Sequence, residues 1–519
     1  MDLPDFRNEP ASDFKGNPEH ARKMKEGLQE AGQELGREYD LVIGGERVKT
    51  PEKFTSLNPG RKDQAVGSFS KASPELAERA LHAAEGAFHS WSRTPVEQRV
   101  ALALDTARLL RKRKYYYAAW LVYEVGKTWG EADADVAEAI DFAEFYAREM
   151  LRLAKPRPLV PLAGEKNTLS YIPLGAGVVI PPWNFPLAIT TGMTIAAIVT
   201  GNTVVLKPSS DAPAVAYKFF EALEQSGMPA GVVNYLPGPG GSVGDSLVGH
   251  PRVRFVAFTG SKDVGLRIHE LASKRAEGQI WIKRTVLEMG GKDSIVIDSE
   301  SDLDLAVEGV AAAAFGFQGQ KCSACSRAIV VENVYDAFLG KLKERVKQIR
   351  VGSPEDPESD MGPVINAGAE KSILNYMGIG KKEGRVLTGG GEASTAGFYL
   401  EPTVIADVPP TARIAQEEIF GPVLAVIRAA TFDDALKIAN NTEYGLTGAV
   451  YTKNRQKLER AADEFHVGNL YFNRRCTGAM VGVHPFGGFN MSGTDSKAGG
   501  PDYLLLFTQG KTLAENVAP

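Results

Sequence analysis

Parallel α/β sheets covered by helices on both faces are the fold class this sequence predicts. Three observations lead there. From about residue 175, short apolar runs alternate with stretches of helical spacing. Two of these runs, in "VVNYLPGPGG" and "RFVAFTGSKD", end in glycine-containing turns that open onto helical sequence,. Near residue 284 a second series of the same kind begins.

Residues 16–38 read as a polar helix, and "YDLVIGGERV" as a hairpin about Gly44-Gly45,. Helical periodicity runs from 73 to 154 and stops at the proline-containing "AKPRPLVPLAGEKN",. The first strand series is "GAGVVI", "TVVLKP", "VVNYLPG" and "RFVAFTG", with helices expected from about 185 and 212. The second runs from "RTVLEMGGKDSIVID" through the helix "DLDLAVEGVAAAAFGFQG" to "RAIVVE", "GRVLTGGG", "PVLAVIRAA" and "GAVYTKN". The tail "YLLLFTQGKTLAE" reads as an apolar strand, and an unpaired strand edge invites association,. Segment 156–172 is similarly extended, so the two are expected to pair in an arm that joins subunits.

Composition narrows the class of partner. With 519 residues, 43% hydrophobic, 24% charged and a net charge of −5, the chain has room for two or three domains,. It gives no electrostatic reason to expect nucleic acid or anionic lipid. The basic run Arg111-Lys112-Arg113-Lys114 before three tyrosines falls in helical sequence and reads as a solvated face with the tyrosines partly packed,. Three cysteines argue against a disulfide framework and for a reducing, cytoplasmic setting,. The acidic start "MDLPDFRNEP" has no basic-then-apolar signal pattern,. The most apolar window, "FPLAITTGMTIAAIVTGN", is shorter than the ~20 residues of a membrane span and reads as a buried helix,.

A parallel sheet with loops at its strand ends suggests a nucleotide. "LPGPGGSVG" has Val243 where the third fingerprint glycine would stand, so a plain turn explains it equally well,. In "FTGSKDVG", Gly260 and Ser261 open a helix whose first N–H groups could hold a pyrophosphate, although an ordinary helix cap fits as well,. Lys207 ends the strand of "VVLKPSSDA", in reach of a ribose or phosphate, or merely at the surface. In "PPWNFP", Asn184 either braces the loop or presents N–H to a substrate oxygen,. In "LEMGGKD", Glu288 is a surface carboxylate or a general base of tunable pKa,.

The stretch "FGFQGQKCSACSR" holds two of the three cysteines. A redox CxxC is possible on spacing but lacks the helix that follows such motifs. A metal site finds too few partners in Cys476 and seven scattered histidines,. A single nucleophile, Cys322, with Lys321 favouring its thiolate, Glu288 as base and Asn184 as oxyanion donor, uses every unusual residue.

In order, "PWNFP", "LKPS", "FTGS", "LEMGGKD", "GQKCSA", "EEIFGPV" and "PFGGFNMSG" resemble the aldehyde dehydrogenase superfamily over about residues 40–510. The resemblance implies a Rossmann-like cofactor domain (1–155 and 173–287), an α/β catalytic domain (288–480) and an oligomerisation arm (156–172 and 495–519) in a homo-oligomer. It implies Cys322, Glu288 and Asn184 as catalytic residues. It also implies NAD held by Trp183, Lys207, Ser209, Ser210, Gly260, Ser261, Glu418 and Phe420. "ADADVAEAIDFAEFYAREM" and "HVGNLYFNRRCTGAMVGVHPFGGFNMSG" resemble, within it, the 1-pyrroline-5-carboxylate dehydrogenase family, which oxidises L-glutamate γ-semialdehyde.

That narrower resemblance implies Ser323, Gly478 and Ala479 on the substrate α-carboxylate, Phe185 and Phe486 on its aliphatic chain, and Glu138 toward its ammonium. Cys325 becomes a bystander able to trap Cys322 as a disulfide. Many NAD-preferring members carry a glutamate where Ser210 stands, so some NADP use is expected. The chain has no room for a fused proline dehydrogenase, so a separate enzyme is expected to supply the substrate. The rival expectations are a succinate semialdehyde dehydrogenase, a coenzyme A-acylating member and a catalytically silent relative.

Overall fold

Two seven-stranded sheets carry the chain, and the computed structural model describes residues 3–517. The first two residues of the acidic start and the last two of the expected arm lie outside them. The first sheet runs, edge to edge, Arg284–Glu288, Phe255–Thr259, Ala176–Ile180, Thr203–Leu206, Val233–Tyr235, Leu41–Ile43 and Glu46–Val48. Its first five strands are parallel, and the last two form the antiparallel hairpin about Gly44 and Gly45. Both glycines have positive φ (62° and 86°), which a two-residue hairpin turn of this hand requires,. The central strands read as unbroken apolar runs because helices cover both faces,. From Ala176–Ile180 the chain passes to Thr203–Leu206 on one side and returns as Phe255–Thr259 on the other, which leaves a crevice above the strands' carboxyl ends,.

The second sheet runs Arg385–Thr388, Thr403–Ala406, Val423–Ala429, Cys325–Val331, Asp293–Ile297, Thr447–Tyr451 and Asn469–Phe472, parallel except for its first strand. The expected start of this series near 284 needs correction. Arg284–Glu288 pairs with Phe255–Thr259 in the first sheet, and the chain changes sheets within Met289–Lys292. Both runs are short and apolar, so their partners are set by tertiary pairing and not by pattern. The crossing abuts the carboxyl edge of one sheet against the amino edge of the other.

Helical sequence from 73 to 154 forms four helices, Pro74–Trp91, Val96–Lys112, Lys114–Val125 and Trp129–Leu153. Gly126, left-handed at φ 70°, ends the third,. The polar N-terminal helix is shorter than expected, Pro18–Gly32. The basic run is less solvated than expected, because Lys114 is buried against Asp133 at 3.0 Å and donates to the Pro10 carbonyl. The window "FPLAITTGMTIAAIVTGN" contains the buried helix Ala188–Val199. No helix among the described residues is long and apolar enough to cross a membrane.

The tail also differs from expectation. Its apolar part, Tyr503–Phe507, is a 3-10 turn packed inward, with Tyr503 stacked on Tyr146 and Phe507 edge-on to Phe255. The strand proper is the polar Thr508–Asn516, which pairs antiparallel with Glu165–Pro173 as a two-stranded ribbon. Residues 156–164 of the expected arm are irregular.

Candidate active site

The junction of the two sheets gathers the sequence-picked residues. Glu288 ends the edge strand of the first sheet, and Cys322 lies in the turn that leads into Cys325–Val331 of the second. The approach is close: a Cβ on Gly291 would lie 2.5 Å from the Cys322 carbonyl oxygen, so only glycine fits there,. Before the turn, Phe317 and Gln318 both adopt left-handed φ (49° and 57°). The Gln318 amide holds that strained reversal, donating to the Gly126 and Pro363 carbonyls (3.2 and 2.6 Å) and accepting from the Gly362 N–H (3.1 Å),.

Asn184 arrives on the proline-bounded loop after Ala176–Ile180. Its amide nitrogen donates to the Gln320 carbonyl at 3.1 Å, which ties the loop to the nucleophile turn and leaves the second amide hydrogen for another acceptor,. Gln320 is itself fixed, its side-chain oxygen accepting from the Ile365 N–H at 2.9 Å. Among the described residues the Cys322 N–H donates to no other group. Both Asn184 and Cys322 thus keep an unused donor at the nucleophile turn.

Glu288 accepts from the Ser496 hydroxyl (2.5 Å) and N–H (3.3 Å) through one oxygen, while its other oxygen is buried without a partner. Burial pushes its pKa up to about 7, against the hydrogen bonds from Ser496,. Burial, then the carboxylates of Asp293, Glu288 and Glu418, pushes the Cys322 thiol well up. This corrects the expectation that Lys321 favours the thiolate. The Lys321 ammonium is taken by Glu131 at 2.9 Å, and against burial it holds that carboxyl below the usual range. Cys322 therefore needs a base to take its proton.

Cys325 is buried at the start of its strand. It points into the core below the sheet, where it neighbours Cys476, whose thiol donates to the Ser323 carbonyl at 3.4 Å.

On the substrate side, Ser323 follows the nucleophile, and its carbonyl also accepts from the Thr447 hydroxyl (3.4 Å). Gly478 sits at φ 78°, with its carbonyl and that of Thr477 both held by Arg474 at 3.0 Å. Among the described residues the N–H groups of Gly478 and Ala479 donate to nothing. Phe486 is pinned by a reciprocal backbone pair with Ala498 (2.8 and 2.7 Å). Phe185 meets Phe317 edge-on, and Lys127 sits 3.8 Å from the Phe185 ring centre,. Lys127 pairs with Asp135 at 2.7 Å with both side chains fully buried. Glu138, on the same helix as Asp135, is pushed up to about 8 by burial and then by Asp135.

The cofactor candidates lie along the crevice. Lys207 is 5% exposed, and among the described residues its ammonium donates only to the Pro208 carbonyl, at 3.3 Å, with burial lowering its pKa to about 8. A buried ammonium so poorly partnered fits ribose hydroxyls. Ser261 caps the helix Lys262–Ser273, accepting from Val264 N–H at 3.4 Å, and Gly260 precedes it. Ser209 accepts from the Asp211 N–H, Ser210 is exposed, and the Asp211 carboxylate is engaged by Asn366 at 2.9 Å. Glu418 accepts from the Gly291 N–H at 3.1 Å, and burial raises it to about 7. Phe420, at φ 56°, packs edge-on to Trp183.

Sequence reasoning missed the supports: Lys127, Asp135, Gln318, Gln320 and Ser496. Lys127 and Ser496 act from distant stretches of chain, while Asp135, Gln318 and Gln320 stand inside quoted motifs but bond to partners far away in sequence.

A model described as the aldehyde dehydrogenase family matches residues 47–513. The chain is 58% identical over 510 residues to the 1-pyrroline-5-carboxylate dehydrogenase of Geobacillus thermodenitrificans (strain NG80-2), covering 98% of this chain and 99% of that one. It is 54% identical over 514 residues to the protein of that name from Bacillus mycoides (strain KBAB4), covering 99% of both. The solved 1-pyrroline-5-carboxylate dehydrogenase from Thermus with bound NAD aligns at TM-score 0.98 and 53% identity, over 99% of this chain and 100% of that one. Proline utilization A from Bdellovibrio bacteriovorus aligns at TM-score 0.97 and 45% identity, with 99% of this chain covering 54% of that one. By sequence over nearly its whole length and by its fold, this chain belongs to the aldehyde dehydrogenase family.

Proposed function

We propose that this chain oxidises L-glutamate γ-semialdehyde, the open form of 1-pyrroline-5-carboxylate, to L-glutamate with NAD. The observation that carries the reading is the convergence of Cys322, Asn184 and Glu288 at the sheet junction, beside the free N–H pair of Gly478 and Ala479. Two N–H groups and the Ser323 hydroxyl form a nest for the substrate α-carboxylate. Phe185 and Phe486 flank the aliphatic chain, and the substrate ammonium draws Glu138 toward its ionised form.

Glu288 takes the Cys322 thiol proton as the sulfur bonds to the aldehyde carbon, and releases it to solvent before the second half of the reaction,. The new oxyanion is held by the Asn184 amide and the Cys322 N–H, each donor contributing ~3 kcal/mol. NAD, when bound, supplies the acceptor for the hydride whose loss leaves a thioester. Glu288 then takes a proton from water, the hydroxyl adds to the thioester carbon, and the C–S bond breaks to release glutamate. Lys207, Gly260, Ser261, Ser209, Ser210, Trp183, Glu418 and Phe420 hold the cofactor in this reading. Residues 1–155 and 173–287 then form the cofactor domain and 288–480 the catalytic domain. The ribbon of 165–173 and 508–516 joins subunits of a homo-oligomer. We place the enzyme in the cytoplasm, functionally coupled to a proline dehydrogenase activity.

Absorbance at the reduced-nicotinamide band, with 1-pyrroline-5-carboxylate plus NAD and then NADP, tests the proposal. Rapid turnover with NAD is the expected result. No turnover, while succinate semialdehyde is oxidised, overturns the substrate and keeps the chemistry.

A further inference from the structure

Residues 3–17 form no strand or helix, yet they are fastened along one face of the helix Trp129–Leu153. The Ser12 N–H and hydroxyl donate to Asp133 (2.8 and 2.6 Å), the Glu9 N–H to Asp141 (2.7 Å), and Arg148 to the Pro4 carbonyl (3.0 Å). Asp133, Asp141 and Arg148 are about two turns apart, which puts them on a common face. Glu131, Asp135 and Glu138 lie on another face and meet the active-site side: Asp135 holds Lys127 and Glu131 holds Lys321. One helix thus carries the strap on one side and the site on the other.

Asn8 closes the connection. Its amide nitrogen gives one hydrogen to Asp141 (2.8 Å) and the other to the Val481 carbonyl (2.9 Å), two residues beyond Ala479. The next residue, Gly482, has φ 75° and lies between Phe6 and Phe145, where an added Cβ would stand 3.1 Å from a carbon of each ring. From the opposite side the Gly482 N–H donates to the Gly499 carbonyl at 2.8 Å. The loop is therefore held at its start by Cys476 on Ser323 and at its end by Asn8, with the unoccupied Gly478 and Ala479 N–H groups between.

We infer that the N-terminal strap is a positioning element for the carboxylate nest, with Asn8 as its positioning residue. The inference rests on the proposed function for the identity of the carboxylate. A two-donor nest that must be ordered at each binding event loses affinity to that ordering, whereas a loop already pinned at both ends does not. The side chain is specific: a neutral amide supplies two donors to two oxygen acceptors, while an ionised aspartate supplies none and sets a second carboxylate against Asp141.

The test compares the parent with Asn8→Ala and Asn8→Asp, checking each variant's Tm. Asn8→Ala is expected to raise KM for L-glutamate γ-semialdehyde ~5-fold, about the worth of one hydrogen bond, with kcat unchanged. KM for propanal, which has no carboxylate, and for NAD should not move. Asn8→Asp is expected to raise the semialdehyde KM further. Amide hydrogen exchange over residues 477–483, read without any substrate, should quicken in both variants. Equal KM changes for both aldehydes, or unchanged exchange in the loop, overturns the inference. If the parent fails to oxidise the semialdehyde, the substrate reading fails, and the exchange measurement still decides the strap's role.

Discussion

Glu288 shows how burial sets chemistry at the level of one residue. Its pKa is pushed up to about 7, so its acid form prevails below that pH and its carboxylate above it. Only the carboxylate can take a proton from water. The kcat–pH profile is therefore expected to fall as pH drops below about 7. Glu288→Gln should remove that limb together with ~10²- to 10⁴-fold of kcat, read from the same nicotinamide absorbance. Ser210 makes a second prediction. Asp211 beside it gives one carboxylate oxygen to Asn366 at 2.9 Å, and position 210 itself carries no carboxylate to repel a 2′-phosphate. Ser210→Glu is expected to lower the NADP-to-NAD ratio of kcat/KM by about tenfold, because an acidic residue there favours the 2′-hydroxyl and opposes the phosphate. An unchanged ratio would move the ribose elsewhere.

Among elements, the loop carrying Asn184 and Phe185 depends on the helix that begins at Trp129. Asp135 accepts from the Ala188 N–H at 2.7 Å and pairs with Lys127, whose ammonium lies against the rings of Phe185 and Phe317. Burial pushes the Lys127 ammonium down and the Asp135 carboxyl up, so neither charge is tolerated without the other. Lys127→Met is expected to cost about 3–5 kcal/mol in urea unfolding, since it strands a buried carboxylate. Lys127→Met with Asp135→Leu should recover part of that cost, because a paired replacement leaves no orphan charge. A double variant no more stable than the single one would refute the coupling.

For the molecule as a whole, the ribbon of Glu165–Pro173 and Thr508–Asn516 stands apart from both sheets, with Leu513 and most of the terminal strand exposed. Leu159, Val160 and Leu162 add exposed apolar surface just before it. Such an edge is a template for pairing with another chain. Removing residues 508–519 is expected to lower the assembly state in size-exclusion chromatography coupled to light scattering. The cut falls after Phe507, so the inward-packed turn Tyr503–Phe507 remains. An unchanged mass would place the subunit contact elsewhere.

Much of this architecture is written locally. The apolar runs, the Gly44-Gly45 turn, the helices before 154, the loop bearing Asn184, the strand end bearing Glu288 and the turn bearing Cys322 follow from periodicity and turn chemistry, which act over a few residues. The ordered motifs, from "PWNFP" to "PFGGFNMSG", also carry the family. What tertiary structure alone decided involves partners far apart in sequence. It assigned Arg284–Glu288 to the first sheet, gave Lys321 to Glu131 in place of Cys322, and set Cys325 beside Cys476. It also buried Lys114 and bound Asn8 to a carbonyl 473 residues away. Burial and charge pairing depend on what the rest of the chain packs around a group, and no local pattern encodes that.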